Sequence, residues 1–258
     1  MQAVFNYLTA HSESDDYSPL LVAPLTLAEQ SIQLIRREAE HARKGRPARI
    51  IAKMNSLLEK SIVETLYEAS QAGVEIDLIV RGICSLRPGV KGLSERIRVR
   101  SLVGRFLEHS RIFYFANGGE ETVYCGSADW MPRNLFERCE VLFPVNDAQL
   151  RGRLKNEILA AYLADTAKTR MLEPSGDYRR ARPAPGKAAF SAQDFFIQLA
   201  EGRVTADQIP PVEIKETVAV IKPARLKSLA ASKAPTRKKT SRAMPRLQAE
   251  DVSAVSPS

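Results

Sequence analysis

Cysteine and histidine are both scarce in this sequence, which holds three of each among 258 residues. The cysteines Cys84, Cys125 and Cys139 are odd in number and widely spaced, so neither a disulfide framework nor a CxxC metal site is predicted. We interpret them as reduced thiols of the core. No metal-binding residue is predicted from the sequence.

Long apolar runs are also lacking. Stretches such as Ile76–Val80 are far shorter than the roughly 20 residues that a membrane span needs. The first residues have neither the basic start nor the apolar run of a secretory signal. These absences predict a cytoplasmic location.

Acidic residues are rare mainly toward the C-terminal end. The net charge is +8, yet residues 222–258 hold nine basic and two acidic side chains, which leaves +1 for everything before them. Composition changes near Pro174, after which Ala, Pro, Lys and Ser dominate. We predict a short N-terminal segment at 1–17, a folded domain at 18–178 and a mostly disordered basic tail at 179–258, with one short helix at 191–201.

Within the body, apolar runs of strand length alternate with helical patterns. Helices are predicted from Leu27 to about Gly45, over Leu57–Ala72 and over Asp147–Ala164. Asn117-Gly118-Gly119 indicates a hairpin loop. The predicted strands are Leu20–Ala23, Arg49–Lys53, Ile76–Val80, Ile97–Val103, Arg111–Phe115, Val123–Cys125 and Cys139–Pro144. This order predicts an α/β domain with a mixed sheet flanked by helices on both faces.

His109 is the first candidate for chemistry, because it stands where a loop enters an apolar strand. Alternation places His109 and Arg111 on one face of that strand. Histidine exchanges protons near neutral pH, so it can act as a nucleophile or an acid–base group, and Arg111 can hold a phosphoryl oxygen. A surface or capping histidine is the alternative that spacing leaves open.

Ser127 and Asp129 follow the returning strand of the same hairpin. A hydroxyl and a carboxylate at a strand end can bind phosphate and orient an imidazole. The hairpin predicts that both return beside His109. An ordinary turn with an Asx-type cap is the alternative.

Two further strand ends carry cations. Lys53 and Asn55 stand at the end of one predicted strand, and Arg81 ends the next. Ligands of open α/β sheets bind outside these strand ends, so an anionic ligand is predicted there. Solvated charges are the alternative.

Four segments, in chain order, resemble the C-terminal domain of bacterial polyphosphate kinases: IIAKMNSL, LYEASQAGVEIDLIVRGICSLRPGVKGLSE, VGRFLEHSRIFYFANGG and YCGSADWMPRNL. The resemblance runs from about Val4 to Tyr178. It implies one phospholipase-D-like half of an enzyme that transfers the terminal phosphate of ATP reversibly to polyphosphate, with Mg2+ accompanying ATP. His109-Ser110-Arg111 is similar to the His-x-Lys core of such a half, with arginine in place of lysine.

The resemblance also implies residue roles. His109 corresponds to the second active-site histidine of the family, and Arg81 to a contact with the nucleotide phosphates. Lys53, Asn55 and Arg111 are assigned to phosphate binding. Ser127 and Asp129 are assigned to orienting His109.

The family's other histidine, which becomes phosphorylated, lies in a preceding domain that this sequence does not contain. The resemblance therefore implies an N-terminally truncated chain, in which residues 1–17 remain from that domain. Its expected partners are ATP or ADP, polyphosphate, a separate chain carrying the N-terminal half, and further copies in a homo-oligomer. Peripheral attachment to the inner membrane within a kinase complex is an open possibility.

Two other functions stay open. One is a catalytically inactive remnant that binds polyphosphate or nucleic acid through its basic tail. The other is a phospholipase-D-like hydrolase that pairs two copies of His109 by homodimerisation.

Overall fold

The computed structural model describes residues 4–6, 9 and 16–212. One sheet forms the centre of the described part. Its strands are β1 (Leu21–Ala23), β2 (Arg49–Met54), β3 (Glu75–Val80), β4 (Ile97–Leu102), β5 (Arg111–Phe115), β6 (Thr122–Gly126), β7 (Glu140–Pro144), β8 (Thr169–Leu172) and β9 (Tyr178–Arg180). They lie in the order β1-β7-β6-β5-β2-β3-β4-β8-β9, with parallel and antiparallel neighbours. The predicted mixed sheet of an α/β domain is confirmed.

The middle of the sheet determines where the candidate residues lie. Strands β2, β3 and β4 run parallel, whereas β5 runs antiparallel to β2. Every residue of β2 and β3 is buried, as expected for strands covered on both faces. The carboxyl ends of β2, β3 and β4 and the start of β5 therefore meet at one edge, here named the carboxyl edge.

Two helices cover the first face of the sheet, α1 (Leu27–Arg43) and α2 (Lys60–Gln71). Their apolar stripes include Ile35 and Leu66, both fully buried against the sheet. Helix α2 begins three residues later than the predicted start at Leu57. The reason is that Leu57 forms bridges to two loops, while the Glu59 side chain accepts a hydrogen bond from the Ser61 amide and caps the helix.

The second face of the sheet is covered by helices from residue 148 onward. Helix α3 (Ala148–Arg153) continues through a π-helical segment (Leu154–Leu159) into α4 (Ala160–Ala164), and α5 (Ala192–Ala200) packs beside them. Phe195 of α5 is 5% exposed in this second core. Burial of such a side chain contributes about 1.5–3 kcal/mol. No helix in these described ranges is long and apolar enough to span a bilayer.

The folded part extends beyond the boundary predicted at residue 178. Strand β9 pairs with β8, which in turn pairs with β4, and α5 occupies the place of the helix predicted at 191–201. The composition after Pro174 is mostly polar, yet Phe190, Phe195 and Phe196 supply enough apolar surface to pack residues 179–212 onto the domain. The remainder of the predicted disordered tail, 213–258, and most of segment 1–17 lie outside the described residues.

Candidate functional site

The carboxyl edge brings most of the predicted residues together. In register, Lys53 of β2 pairs with Ile79 of β3 on one side and with Ile112 of β5 on the other. Arg111 at the start of β5 pairs with Gly126 at the end of β6. The residues that follow Gly126 are thereby returned to the level of His109, as the hairpin predicted.

Arg111 is the central contact of the site. Its Nε and Nη2 donate to the two carboxylate oxygens of Asp129 at 3.1 and 3.3 Å. Its Nη1 donates to the His109 carbonyl oxygen at 2.7 Å and lies 2.9 Å from Nδ1 of the exposed His109 ring. Asp129 was predicted to orient His109 directly, and this is corrected: the carboxylate holds Arg111, and Arg111 contacts the imidazole.

A second chain of contacts leads from Asp129 to Arg81. The Asn55 amide N–H donates to Asp129 Oδ1 at 2.7 Å, and the Asn55 side-chain oxygen accepts from Arg81 Nε at 3.0 Å. Within the described residues, neither Nη of Arg81 has a hydrogen-bond partner, and the buried Nδ2 of Asn55 has none either. Buried donors are normally paired, so this end of the site offers donors to a ligand.

Lys53 behaves differently from the prediction. It is 1% exposed, and its ammonium group pairs with Glu108 at 3.1 Å, donates to Ser110 Oγ at 2.8 Å and lies over the Tyr162 ring. Burial lowers the pKa of Lys53, and the Glu108 carboxylate opposes that shift. Lys53 therefore contacts the residues on either side of His109, where its ammonium group is already paired, and its direct contact with phosphate stays a prediction.

Gln193 of α5 holds the loop before His109 and was missed by sequence reasoning. Its Nε2 donates to the Phe106 carbonyl oxygen at 2.9 Å and to Glu108 Oε1 at 2.5 Å, while its Oε1 accepts from the Phe106 amide at 3.1 Å. A Cβ at Gly104 would lie 2.3 Å from Gln193 Oε1, so a larger residue at this position would displace the Gln193 amide from its contacts with the loop. Gln193 lies 84 positions after His109, where no local pattern could link the two.

Ser127 does not take part in orienting His109. Its hydroxyl accepts from the Val141 amide at 3.3 Å, and its own amide donates to the Val141 carbonyl oxygen. Ser127 thus continues the pairing of β6 with β7. The prediction for Ser127 is corrected, because the neighbouring strand takes up its polar groups.

A shallow groove of about 500 Å³ runs beside the imidazole. Loop residues 106–110 form one wall, and Tyr162 with the exposed side of α5 forms the other. His109 is exposed, so a ligand could reach the ring from this groove.

The residues of the site do not form a metal-binding set. In the described ranges, no group of three or more His, Cys, Asp or Glu side chains is placed to hold a metal ion. The two carboxylates at the site, Asp129 and Glu108, are paired with Arg111 and Lys53. The residues present therefore do not fit a magnesium ion bound by side chains of this domain.

Comparisons with known proteins agree on one family. The model of the family "Polyphosphate kinase C-terminal domain 2" matches residues 20–193. A polyphosphate kinase from Thermosynechococcus vestitus is 55% identical over 188 residues, which is 73% of this chain, and one from Paraburkholderia phytofirmans is 55% identical over 190 residues, which is 74% of it. The crystal structure of polyphosphate kinase from Porphyromonas gingivalis superposes with a TM-score of 0.74 at 40% identity over 78% of this chain.

The match covers only part of each relative. The chain spans about a quarter of the length of the curated relatives, 26% and 27% for the two named above, and 31% of the Porphyromonas gingivalis chain.

Proposed function

The chain belongs to the polyphosphate kinase family through its C-terminal domain, and we propose that it supplies one half of an active site that moves the terminal phosphate of ATP to polyphosphate and back. ATP or ADP and polyphosphate are the proposed substrates. Magnesium would enter with ATP as the counter-ion of its phosphates.

The observation that carries this proposal is the continuous hydrogen-bonded series from Arg81 through Asn55, Asp129 and Arg111 to His109. Arg81 uses only its Nε, on a neutral amide oxygen. Its two Nη groups form a planar fork suited to two phosphate oxygens, and Asn55 Nδ2 adds a donor beside it. Arg81 and Asn55 would hold a phosphate group of the nucleotide.

Arg111 holds the imidazole of His109 in place. Its Nη1 lies 2.9 Å from Nδ1 and 3.3 Å from Nε2 of the ring. A guanidinium only donates hydrogen bonds, so the ring nitrogen that accepts from Arg111 leaves the other nitrogen to carry the proton of the neutral ring. His109 would donate that proton to the oxygen between the β and γ phosphates of ATP as the bond from that oxygen to the γ phosphorus breaks, and would take the proton back in reverse.

The phosphoryl acceptor is proposed to come from elsewhere. By resemblance, the histidine that becomes phosphorylated lies in another domain of the family, and His109 is the second histidine. The site would be completed by that domain, supplied by a separate polypeptide or by further sequence, and homo-oligomers are expected for the assembled enzyme. The chain alone is not expected to autophosphorylate.

A domain exchange tests the proposal. This chain would replace the matching C-terminal domain of the Thermosynechococcus vestitus relative, and transfer of labelled γ phosphate from ATP to polyphosphate would be measured. We expect transfer in the chimaera and its loss in His109→Gln, with ATP and polyphosphate affinity changed less than about twofold.

Arg81→Ala should weaken binding of ATP or polyphosphate by about 1–3 kcal/mol, the range of hydrogen bonds to charged groups. Arg43→Ala, which removes an exposed cation at the end of α1, is the matched control. A chimaera that binds polyphosphate but shows no transfer would support an inactive binding module instead. Full transfer by His109→Gln would contradict the role given to the imidazole.

A further inference from the structure

A row of basic residues continues along the carboxyl edge, away from His109. The parallel strand β4 ends here at Leu102, the antiparallel β8 begins here at Thr169, and β9 returns here at Arg180. Register pairs Ser101 with Arg170 and Arg170 with Arg180, so the three side chains lie side by side on one face. The far end of the edge is therefore as cationic as the end that holds Arg81.

These residues line a cavity of about 290 Å³. Its walls are Ser101, Val103, Ala167, Lys168, Arg170 and Arg180. Three of the six are cations and none is an acid. The lining thus has the composition of an anion-binding site.

The cations of the cavity are not neutralised by neighbours. Lys168, Arg170 and Arg180 are exposed, and within the described residues none of them has an ion pair. Arg180 donates from Nη2 to the Ala167 carbonyl oxygen at 3.1 Å. Each cation has an acid three residues away in sequence, and each acid has another partner. Asp165 is buried and accepts from the backbone amides of Lys168, Thr169 and Ala192. Glu173 pairs with Arg179, and Asp177 accepts from the Ser175 hydroxyl. Three positive charges are left facing solvent.

Ser101 joins this cavity to the candidate site. Its hydroxyl donates to the carbonyl oxygen of Arg81 at 2.9 Å. Neighbouring strands lie about 4.8 Å apart, so the three spacings from β3 to β9 place Arg180 roughly 14 Å along the edge from Arg81. A ligand bound at Arg81 would need to be linear and repeatedly charged to reach all of them.

We propose that Lys168, Arg170 and Arg180 form a second anion subsite that binds the body of a polyphosphate chain whose reacting end lies at Arg81. This inference rests on the function proposed above and extends it to a direction: the chain would run from β3 across β4 and β8 to β9. A single-stranded nucleic acid fits less well, because such sites stack bases on aromatic side chains and the cavity lining contains none.

Binding by the full-length chain tests the subsite with a charge-matched control. Arg170→Ala/Arg180→Ala removes two cations from the subsite. Arg43→Ala/Arg46→Ala removes two exposed cations from the opposite edge, where α1 leads into β2. Both variants keep residues 213–258, so any contribution of that basic segment cancels. The probes are long-chain polyphosphate, tripolyphosphate and an oligothymidine of similar charge.

The subsite variant should bind long-chain polyphosphate at least about tenfold more weakly than the control variant. The slope of log affinity against log salt should fall by about 1–2, as for two lost phosphate contacts. Tripolyphosphate should bind both variants with equal affinity, because it is too short to extend from Arg81 to the subsite.

An equal loss of polyphosphate affinity in both double variants would overturn the subsite. An equal loss of affinity for oligothymidine and for polyphosphate in the subsite variant would also overturn it, because that result would indicate an unspecific basic patch. The Arg81→Ala variant separates this result from failure of the proposed function. Weaker polyphosphate binding in Arg81→Ala with no difference between the double variants would reject the subsite alone. Unchanged binding in all three would reject both.

Discussion

Gln193 should control the conformation of the loop that carries His109. Gln193→Leu keeps most of the side-chain volume but removes the partner of the Phe106 amide, the Phe106 carbonyl and one Glu108 oxygen. Two neutral hydrogen bonds contribute about 1 kcal/mol each and one to a charged group about 2 kcal/mol. Water can replace part of the lost hydrogen bonding at Phe106, so we expect the closed conformation of the loop to be destabilised by roughly 2–3 kcal/mol.

Amide hydrogen exchange measures that loss directly. Loops open locally with their own free energies, and 2–3 kcal/mol corresponds to about 30- to 150-fold faster exchange in a peptide covering residues 103–110. Gln198→Leu is the matched control, because Gln198 lies on the exposed side of the same helix. Exchange in the centre of the sheet should stay unchanged in both variants.

The same variant should lower phosphate transfer in the chimaera without changing binding of tripolyphosphate at Arg81. A purely global loss of stability would speed exchange throughout the domain instead. Equal rates of loop exchange in Gln193→Leu and Gln198→Leu would show that Gln193 does not control the conformation of this loop.

Two further outcomes are expected from buried charges. Lys53→Met leaves the Glu108 carboxylate buried without its cation and should cost about 3–5 kcal/mol in urea unfolding; Lys53→Met/Glu108→Gln should cost less, and an equal or larger cost would show that the pair does not couple. Burial raises the pKa of Glu38 from 4.5 to about 7, although the Arg49 and Asn117 amides donate to its carboxylate. The folded state therefore binds the Glu38 proton more tightly than the unfolded state does. This difference adds about 3 kcal/mol to the free energy of unfolding below pH 4.5, and that contribution is lost as the pH rises to about 7. Glu38→Gln should remove that part of the pH dependence of the unfolding free energy, and parallel curves for the two proteins from pH 4.5 to 8 would contradict it.

Much of the sheet could be predicted because its strands carry local patterns. The apolar runs of β2 and β3, ended by Lys53 and Arg81, are short and bounded by helical periodicity. The hairpin of β5 and β6 has a Gly-Gly turn, and Gly118 adopts a positive φ of 67° there. Strands β8 and β9 could not be predicted, because Thr169–Leu172 and Tyr178–Arg180 mix charged and apolar residues and gain their place from β4.

The sequence predicted which residues lie at the candidate site better than it predicted the contacts among them. Strand ends and the hairpin bring His109, Arg111, Asp129, Asn55 and Arg81 to one edge. Which polar group contacts which depends on side-chain reach across strands. Arg111 takes the carboxylate that was expected to orient His109, and β7 takes the hydroxyl of Ser127.

The sequence by itself determined the family, the alternation of strands and helices and the set of residues at the carboxyl edge, because each depends on residues close together in the chain. Only the tertiary structure decided that Lys53 is buried against Glu108 and that Gln193 holds the His109 loop. It also decided that Lys168, Arg170 and Arg180 continue the edge beyond Arg81. The residues brought together are 55 to 99 positions apart in the sequence. Lys53 meets Glu108 because β5 pairs with β2. The other two arrangements exist because α5, β8 and β9 pack back onto the sheet.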